Sequence, residues 1–333
     1  MANSSTISWK DRVVLVTGVN GYVGQVLTRE LQERQAYVVG LDLMASGSIK
    51  GGTAPAELVL VNLCDQEGMR ELLQTHTFET CFHLAGQPGV AASTQDPIGA
   101  LRANCQATWS LLEAFRLYSP SSEIIAVSSN HVYGPQEKAP TAEDQPFNGL
   151  SIYAVSKACA DVIARSYAEN YGLSIAIARI TNSFGGCDPH RSHIVTGTIV
   201  SALQGEAPVI QGDGRSEKGY LYIRDTVGAL LHLAERIGSM DLAGEAFNFV
   251  PDKPVSVEEL VDTILRLSGQ SELRPVVLGH QNHPAEFESL SNAKAARVLG
   301  WRPDYSLEQG LSEAIQDLQQ ILTVSAVDEQ DGE

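Results

Sequence analysis

A tyrosine and a lysine four residues apart carry the clearest chemical signal in the chain. Tyr153 and Lys157 lie one turn apart on a predicted helix, so their side chains share one face. A nearby ammonium lowers the pKa of a phenol and can also hold a ribose. The tyrosinate can then take a proton from a sugar hydroxyl while hydride leaves the same carbon. The pair therefore predicts the oxidation of an alcohol.

The end of the preceding predicted strand adds a hydroxyl to this pair. Residues 127–134 have the sequence Val-Ser-Ser-Asn-His-Val-Tyr-Gly, and Ser129 can hydrogen-bond a carbonyl oxygen as it develops. His131 can transfer protons because imidazole titrates near neutral pH, although packing or substrate binding is an equal alternative for it. The predicted catalytic residues are Ser129, Tyr153, Lys157 and His131.

A glycine-rich segment predicts a dinucleotide site. Residues 17–24, Thr-Gly-Val-Asn-Gly-Tyr-Val-Gly, follow a predicted buried strand and open a helix, where glycines allow the backbone to approach a pyrophosphate. Asp42 ends the next strand, where a carboxylate accepts from ribose hydroxyls and repels a 2′-phosphate, which favours NAD over NADP. The predicted cofactor-binding residues are Gly18, Asn20, Gly21, Tyr22, Val23, Gly24, Asp42, Asn62, Leu63, Leu84, Ala85, Gly86, Gln87, Asn104, Tyr153 and Lys157.

The elements that must position these residues alternate between strand and helix. Continuous apolar runs such as 13–17 are typical of strands buried on both faces, and helical patterns follow them. This predicts an α/β fold with a Rossmann-type doubly wound parallel sheet. We expect an NAD-binding domain over residues 1–185, to which 222–250 return, and a smaller mixed α/β substrate domain over 186–333. Long helices are expected at Pro97–Tyr118 and Tyr153–Tyr171.

Composition narrows the class of partner and the compartment. The 23 Lys and Arg residues face 40 Asp and Glu residues, and the net charge of -17 disfavours nucleic acid. No apolar run reaches membrane-spanning length and the first residues lack a signal core, so we expect a cytoplasmic protein without membrane contact. The five cysteines form no CxxC pair and are expected to be buried free thiols. No metal site is predicted.

The motifs in this order resemble a known family. The GxxGxxG loop, the Ser-Ser…Val-Tyr-Gly segment, the YxxxK pair and the Arg-Ile-Thr-Asn-Ser-Phe-Gly of residues 179–185 are similar to those of extended short-chain dehydrogenases/reductases, the NAD-dependent epimerases and dehydratases of nucleotide-sugars. The resemblance covers about residues 10–322. Residues 83–88 and 153–171 look most like the CDP-glucose and GDP-mannose 4,6-dehydratase branches. It implies tightly held NAD, a nucleotide-diphosphate sugar as substrate and a homodimer formed through the two long helices.

The resemblance also points to residues that would hold the substrate. Asn182 matches an asparagine that contacts the substrate diphosphate in this family, and Lys218 stands where an arginine is usual. Lysine can still meet a phosphate, but as a point charge rather than a fork. Arg191 and His193 are further diphosphate candidates, and either could equally be a solvated loop residue. The predicted substrate-binding residues are Gln87, Ser129, Asn130, Asn182, Arg191, His193 and Lys218.

Two neighbouring positions leave the reaction open. In 4,6-dehydratases the Ser or Thr is commonly followed by an acid and a base, which are Asn130 and His131 here. Our first interpretation is 4,6-dehydration through a 4-keto intermediate, with His131 assisting the loss of water. The second is 4-epimerisation, which needs neither group. A sugar dehydrogenase that releases NADH is third, and a non-catalytic dinucleotide sensor is disfavoured because Tyr153 and Lys157 are both present.

Overall fold

The centre of the structure is a seven-stranded parallel sheet. A computed structural model describes residues 7–45, 52–136, 139–186, 188–279 and 288–330, with side chains as far as residue 323. The strand order is β3-β2-β1-β4-β5-β6-β11, which extends the Rossmann order by one strand and confirms the predicted fold class. These strands are β1 (Val13–Thr17), β2 (Tyr37–Asp42), β3 (Glu57–Leu60), β4 (Thr80–His83), β5 (Glu123–Ser129), β6 (Ile175–Ile180) and β11 (Ala246–Phe249).

Helices and short strands complete the described chain. The helices are α1 (Tyr22–Glu33), α2 (Gln66–Thr75), α3 (Val90–Gln95), α4 (Pro97–Ala100), α5 (Ala107–Tyr118), α6 (Ile152–Tyr171), α7 (Ile194–Gln204), α8 (Ile223–Ala234), α9 (Val257–Leu267) and α10 (Leu307–Gln330). The short strands are β7 (Asn182–Phe184), β8 (Val209–Ile210), β9 (Glu217–Lys218), β10 (Tyr220–Tyr222), β12 (Val255–Ser256) and β13 (Val276–Val277). No two- or three-residue strand was predicted, because such segments are too short to show a periodicity.

One face of the sheet packs against the helices that carry the site. Leu15 and Ile124 of the strands join a buried cluster with Leu72 of α2, Phe115 of α5 and Ala164 of α6. Burying a side chain the size of leucine or phenylalanine stabilises a fold by about 1.5–3 kcal/mol. The cluster therefore fixes α5 and α6 against the strands whose ends they approach.

The predicted helix Pro97–Tyr118 is interrupted by a π-helical turn. Asp96 caps the start of α4 by accepting a hydrogen bond from the Gly99 amide, and Pro97 occupies the first turn. A π-helix over Leu101–Gln106 then leads into α5. The turn contains Asn104, which is 1% exposed. Single π-helical turns occur often at functional sites, and apolar periodicity does not reveal the extra residue.

The chain divides into two compact units. The first comprises Met1–Thr181, Thr226–Phe249 and Ser291–Arg302, and the second comprises Asn182–Asp225, Val250–Leu290 and Pro303–Glu333. Residues 291–302, expected in the second domain, instead belong to the first unit. Trp301 packs edge-on against Phe249 with ring centroids 4.9 Å apart. A hydrogen bond of 2.8 Å joins His232 Nε2 to the Leu299 carbonyl. Both contacts tie the segment to α8 and β11.

The second unit is a small mixed α/β body. Strand β7 pairs with β10 and β8 with β13 in parallel, whereas β9 pairs with β12 antiparallel. Ser256 caps α9 by accepting from the Glu259 amide. Val261 and Leu265 of α9 then pack on Ala202 of α7 and on Ile210. Among the described residues, this apolar cluster joins α7 and α9 to β8.

The cysteines are less buried than expected. Cys64, Cys81, Cys105 and Cys159 are free thiols, as predicted, and Cys187 lies outside the described residues. Cys81 is buried, but Cys159 is exposed, so the expectation of burial was wrong there because its side chain points outward from α6. Within the described part of the chain, no helix is both long and apolar enough to cross a membrane.

Candidate active site

The glycine loop leaves no room for side chains. Gly18 has a φ of 69°, and a Cβ there would lie 2.9 Å from the Ala85 Cα. A Cβ on Gly24 would lie 2.3 Å from the Gly18 carbonyl oxygen. Helix α1 begins after Gly21 without a side-chain cap and has no acidic residue in its first turn. Tyr22 and Val23 form the first turn of α1. The first amides of a helix have no carbonyl partner within it, and the helix dipole is positive at this end, so the glycine loop and the start of α1 fit the pyrophosphate of a dinucleotide.

Asp42 is fixed beside the glycine loop at the end of β2. Its carboxylate accepts hydrogen bonds from the backbone amides of Asn20 (3.0 Å), Leu43 (2.8 Å) and Met44 (3.2 Å). These bonds hold a negative charge where the fold places the adenosine ribose, and such a charge repels a 2′-phosphate. The arrangement fits NAD.

The segment after β3 is less informative. Asn62 is exposed and its Oδ1 accepts from the Cys64 amide at 2.9 Å. The Leu63 side chain is 5% exposed and packs in the main core cluster. The contact of Asn62 and Leu63 with adenine stays a prediction.

His83 is a neutral structural residue at the end of β4. Its Nδ1 lies 2.9 Å from the Thr17 hydroxyl and its Nε2 lies 2.9 Å from the Thr108 hydroxyl. Thr108 donates to the Asn104 carbonyl, so it accepts from Nε2, and Nδ1 accepts from Thr17. Burial, and secondarily the charge of Lys157, lowers the pKa of His83 to about 3. The imidazole therefore carries no charge near neutral pH.

Asn104 joins the loop after β4 to the catalytic helix. Its Oδ1 accepts from the backbone amide of Gln87 at 2.8 Å. Its Nδ2 donates to the backbone carbonyl of Gln87 (3.1 Å) and to the Ser156 hydroxyl (2.9 Å). Ser156 in turn donates to the Tyr153 carbonyl at 2.8 Å. A Cβ on Gly86 would lie 2.4 Å from Asn104 Oδ1. The predicted cofactor segment from Leu84 through Ala85 to Gln87 is thus held close to α6.

The structure brings the four predicted catalytic residues together. The Ser129 hydroxyl lies near enough to the Tyr153 phenol to lower its pKa. The His131 ring meets the Tyr153 ring edge-on, with centroids 5.5 Å apart and planes at 74°. Lys157 donates to the Val127 carbonyl at 3.1 Å, one turn further along α6. A hydroxyl, a phenol, an imidazole and an ammonium therefore converge where β5 ends.

Burial is the main influence on the pKa values of Tyr153 and Lys157. Burial raises the pKa of Tyr153, and the nearby Ser129 hydroxyl opposes this by lowering it. Burial lowers the pKa of Lys157 to about 8. The lowering of the Tyr153 pKa by Lys157 stays a prediction, because in this structure desolvation of the phenol is the main influence on that pKa and the Ser129 hydroxyl is the opposing one.

Asn130 occupies the position that is usually acidic in dehydratases of this type. It is 5% exposed, and its Oδ1 accepts from the Ser129 hydroxyl at 3.3 Å. A buried amide orients Ser129 but has no proton to give to a leaving hydroxyl. Of the two residues that follow Ser129, His131 is thus the one with acid–base capacity.

The other predicted substrate residues lie on separate elements of the second unit. Asn182 donates to the Gly219 carbonyl at 3.0 Å, between β7 and β10. Lys218 lies in β9 opposite Val255. Arg191 is exposed in the loop before α7. Their roles in binding a diphosphate stay predictions.

His193 stands at the start of α7 and is paired with a buried carboxylate. Its Nδ1 lies 2.7 Å from Asp188 Oδ2, and Asp188 also accepts from the Thr196 hydroxyl at 3.2 Å. The hydrogen bond to Asp188 raises the pKa of His193. The imidazole therefore gains a proton more readily than usual, and its positive charge is then paired with the Asp188 carboxylate.

The second unit also contains a cleft that the sequence analysis missed. Its volume is 390 Å³, and none of the predicted substrate residues lines it. The lining residues are Phe184, Tyr220, Leu221, Tyr222, Pro251, Asp252, Lys253, Val255, Pro303, Asp304, Tyr305, Ser306 and Leu307. The segments that form it are short strands and loops without a sequence periodicity.

A buried charged network was also missed. Arg179 is 1% exposed and donates two hydrogen bonds to Asp161, at 2.9 and 3.0 Å. It donates a third to the Tyr133 hydroxyl at 2.7 Å, and Tyr133 donates to Asn248 at 2.7 Å. A signal was present, since an arginine inside the apolar run Ile-Ala-Ile-Ala-Arg-Ile requires a buried partner.

The glycine cradle predicts a sharp effect of one methyl group. Gly24→Ala should weaken NAD binding by roughly tenfold, or about 1.4 kcal/mol, because the new Cβ forces the loop away from its phosphate-binding shape. Isothermal titration with NAD measures this. Gly228→Ala is the matched control, since Gly228 lies within α8 and a Cβ there would enter open space. Equal affinities for both variants would contradict the account.

The buried ammonium predicts a pH-dependent stability difference. The pKa of Lys157 is about 8 in the fold against 10.5 when unperturbed, so burying its charge costs stability fully below pH 8 and less as the pH rises towards 10.5. Lys157→Met should therefore raise the free energy of unfolding at pH 7 by roughly 1–3 kcal/mol, with a smaller gain at pH 10. Urea unfolding of both proteins measures the difference.

The control is Lys10→Met, because Lys10 is exposed and no such gain is expected there. A stability gain for Lys157→Met that is the same at pH 7 and pH 10 would contradict the assignment of the cost to the buried charge.

Comparisons with known proteins agree with this geometry. The chain is 31% identical over 312 residues to the UDP-glucose 4-epimerase of Mycolicibacterium smegmatis, covering 91% of this chain and 97% of that protein. It is 26% identical to the CDP-glucose 4,6-dehydratase of Salmonella typhimurium, covering 92% and 90%. The crystal structure of Thermotoga maritima UDP-glucose 4-epimerase with UDP-glucose superposes with a TM-score of 0.85 at 28% identity, covering 93% and 99%.

The family follows from the same comparisons. Residues 14–248, which include the glycine loop, Ser129, Tyr153 and Lys157, match the NAD dependent epimerase/dehydratase family. The expected family and the expected cofactor, NAD, are thereby confirmed. The chain belongs to the NAD-dependent epimerase/dehydratase family and is an enzyme that uses NAD.

Proposed function

We propose that this enzyme oxidises the C4 hydroxyl of the sugar in a nucleotide-diphosphate sugar and then acts on the resulting 4-ketone. The observation that carries the proposal is the convergence of Ser129 and His131 on Tyr153 at the end of β5, one helical turn from Lys157. Relatives that act on UDP-glucose and CDP-glucose support the choice of substrate class. All other steps depend on this first oxidation.

The residues of the site divide the work of that oxidation. Bound NAD would supply the acceptor for the hydride of C4 and the hydride that is later returned to the sugar. Tyr153 takes the hydroxyl proton, and Ser129 donates a hydrogen bond to the oxygen as it becomes a carbonyl. Lys157, which donates to the Val127 carbonyl, supplies the positive charge that favours a tyrosinate during the step. In the structure the Ser129 hydroxyl donates its one proton to Asn130 Oδ1, and it would release that hydrogen bond to donate to the sugar oxygen.

The position of His131 favours 4,6-dehydration as the second half of the reaction. A 4-ketone acidifies the neighbouring C5 hydrogen, and a base near C4 can remove it. The His131 ring lies against Tyr153, the residue that acts at C4, and imidazole can accept one proton and deliver another near neutral pH. His131 would then remove the C5 proton and give a proton to the departing C6 hydroxyl, which leaves a double bond between C5 and C6. The hydride would return to C6, and C5 would take up a proton from solvent in exchange for the one that Tyr153 releases.

The amide at Asn130 favours 4-epimerisation as the second candidate. Elimination in dehydratases commonly uses two titratable groups after the Ser or Thr, and Asn130 supplies none. An epimerase needs only that the 4-keto sugar turn over before C4 is reduced on its other face. The Mycolicibacterium smegmatis relative, at 31% identity, is a UDP-glucose 4-epimerase.

The second unit is proposed to bind the nucleotide diphosphate. The diphosphate would meet one side-chain amide and up to three positive charges, in a chain whose net charge is -17. These groups belong to Asn182, Lys218, Arg191 and His193. The pairing of His193 with Asp188 favours its charged form. The cytoplasmic location stays a prediction.

A panel of sugar nucleotides tests the reaction. Purified protein with NAD is incubated with CDP-, GDP-, UDP- and dTDP-sugars, and products are identified by mass spectrometry. We expect loss of one water from a single sugar nucleotide. Tyr153→Phe should abolish turnover, and His131→Ala should slow the loss of water by about 10²–10⁴-fold while a 4-keto sugar still forms. His76→Ala, at the end of α2, is the control and should behave like wild type.

Other products would redirect the proposal. An unchanged mass with inverted C4, in wild type and His131→Ala alike, would establish the epimerase and give His131 a packing or binding role. Loss of two hydrogens with release of NADH would establish a dehydrogenase. Retained NAD without turnover of any substrate would contradict the enzymatic proposal and favour a sensor.

We also propose that the enzyme is a homodimer formed through α5 and α6. Trp109 and Leu117 of α5 are 44% and 49% exposed, and Val162 and Tyr171 of α6 are 53% and 56% exposed. Large apolar side chains grouped on neighbouring helices are typical of interaction surfaces. A second copy of the chain would cover them.

Multi-angle light scattering tests this interface. Wild type should have the mass of two chains, and Val162→Glu should have the mass of one, because a charge would enter the apolar contact. Leu150→Glu is the control, since Leu150 is 89% exposed in a loop before α6. A wild type of single-chain mass, or an unchanged mass for Val162→Glu, would contradict the proposal.

A further inference from the structure

Two residues outside the predicted catalytic set connect the catalytic helix to the turn that carries His131. Arg179 comes from β6, and Tyr133 directly follows the 3₁₀ turn Asn130–Val132. We propose that Arg179 and Tyr133 are positioning residues, which fix the distance between His131 and Tyr153 that the chemistry requires.

One end of the connection holds the catalytic helix. Tyr153, Lys157 and Asp161 are spaced four residues apart, so all three lie on one face of α6. Arg179 binds Asp161 through Nε and Nη2, and both side chains are almost completely buried. A planar fork on a carboxylate restricts rotation as well as distance, unlike a point charge. The pair therefore sets how α6 presents Tyr153 and Lys157.

The other end holds the turn. The Tyr133 amide donates to the Asn130 carbonyl at 3.2 Å, which closes the turn that contains His131. The Tyr133 hydroxyl accepts from Arg179 Nη1 and donates to Asn248, both at 2.7 Å. The guanidinium carbon lies 5.2 Å from the centre of the Tyr133 ring. Because the ring cannot move without breaking two buried hydrogen bonds, the turn stays fixed relative to Arg179.

Stability alone does not account for this network. Replacement of a buried ion pair by well-packed apolar side chains of the same volume is often neutral or stabilising, and the benefit that we propose for this network is a defined geometry. The contact that needs such geometry is the one between the His131 and Tyr153 rings, whose centroids lie 5.5 Å apart and which joins the end of β5 to α6. Misplacement of reacting groups by about 1 Å can lower a rate by about 100-fold.

The closing experiment removes one oxygen atom. Tyr133→Phe keeps the ring against the guanidinium but deletes both hydroxyl hydrogen bonds. Its kinetic readout rests on the proposed function, and its NMR readout does not. The measurements are kcat and KM for the sugar nucleotide, the affinity for NAD, the melting temperature, and the Hε1 resonance of His131 assigned by its loss in His131→Ala.

Matched variants separate positioning from folding. Tyr167→Phe is the control, because it also removes one phenol oxygen that makes a hydrogen bond. Tyr167 lies on α6, and its hydroxyl donates to the Glu113 carboxylate at 3.3 Å. Arg179→Lys keeps the charge and loses the fork, so it should show the same kinetic defect as Tyr133→Phe. If Arg179→Lys does not fold, the comparison of the two tyrosine variants still decides.

We expect Tyr133→Phe to lower kcat by about tenfold with KM and NAD affinity changed less than twofold, and to shift or broaden the His131 resonance. Tyr167→Phe should change none of these. A lower melting temperature with wild-type kcat and an unmoved His131 resonance would overturn the proposal. If wild type turns over no sugar nucleotide, the proposed function fails, and the His131 resonance alone then supports or overturns the positioning role.

Discussion

The site depends on the parallel alignment of β1, β4 and β5. Because their carboxyl ends meet at one edge, Gly18 after β1, the segment after His83 and Ser129 at the end of β5 become neighbours. The backbone around Gly18 approaches Ala85 so closely that a side chain would not fit. Helix α6 then needs only to lie against this edge to bring Tyr153 and Lys157 to Ser129.

Burial is the second constraint, and three polar side chains at this edge have defined partners within the protein. His83 stays neutral between two threonine hydroxyls. Asn104 makes hydrogen bonds with the backbone amide and the backbone carbonyl of Gln87, and Lys157 donates to a backbone carbonyl. The same burial raises the pKa of Tyr153 and lowers that of Lys157. A site of this kind keeps hydrogen-bond directions fixed and makes the two protonation states sensitive to what binds beside them.

The sequence was sufficient wherever the signal is local. The glycine loop, the buried strands, α9 and the grouping of Ser129, Tyr153 and Lys157 follow from spacing and apolar runs. The π-helical turn around Asn104, the short strands of the second unit and the return of residues 291–302 to the first unit did not. Tyr133 and Asn248 are 115 positions apart, and periodicity reports that a residue is buried but not which distant residue it meets.

The central claim is that chemistry begins with oxidation at C4 by Tyr153 and its neighbours. The most direct measurement uses the accepted sugar nucleotide with deuterium at C4 and follows the label by NMR and mass spectrometry. The account predicts that the sugar product keeps the deuterium, at C6 after dehydration or at C4 after epimerisation, and that Tyr153→Phe gives no labelled product. Deuterium lost to water, or a labelled product formed by Tyr153→Phe at the wild-type rate, would contradict it.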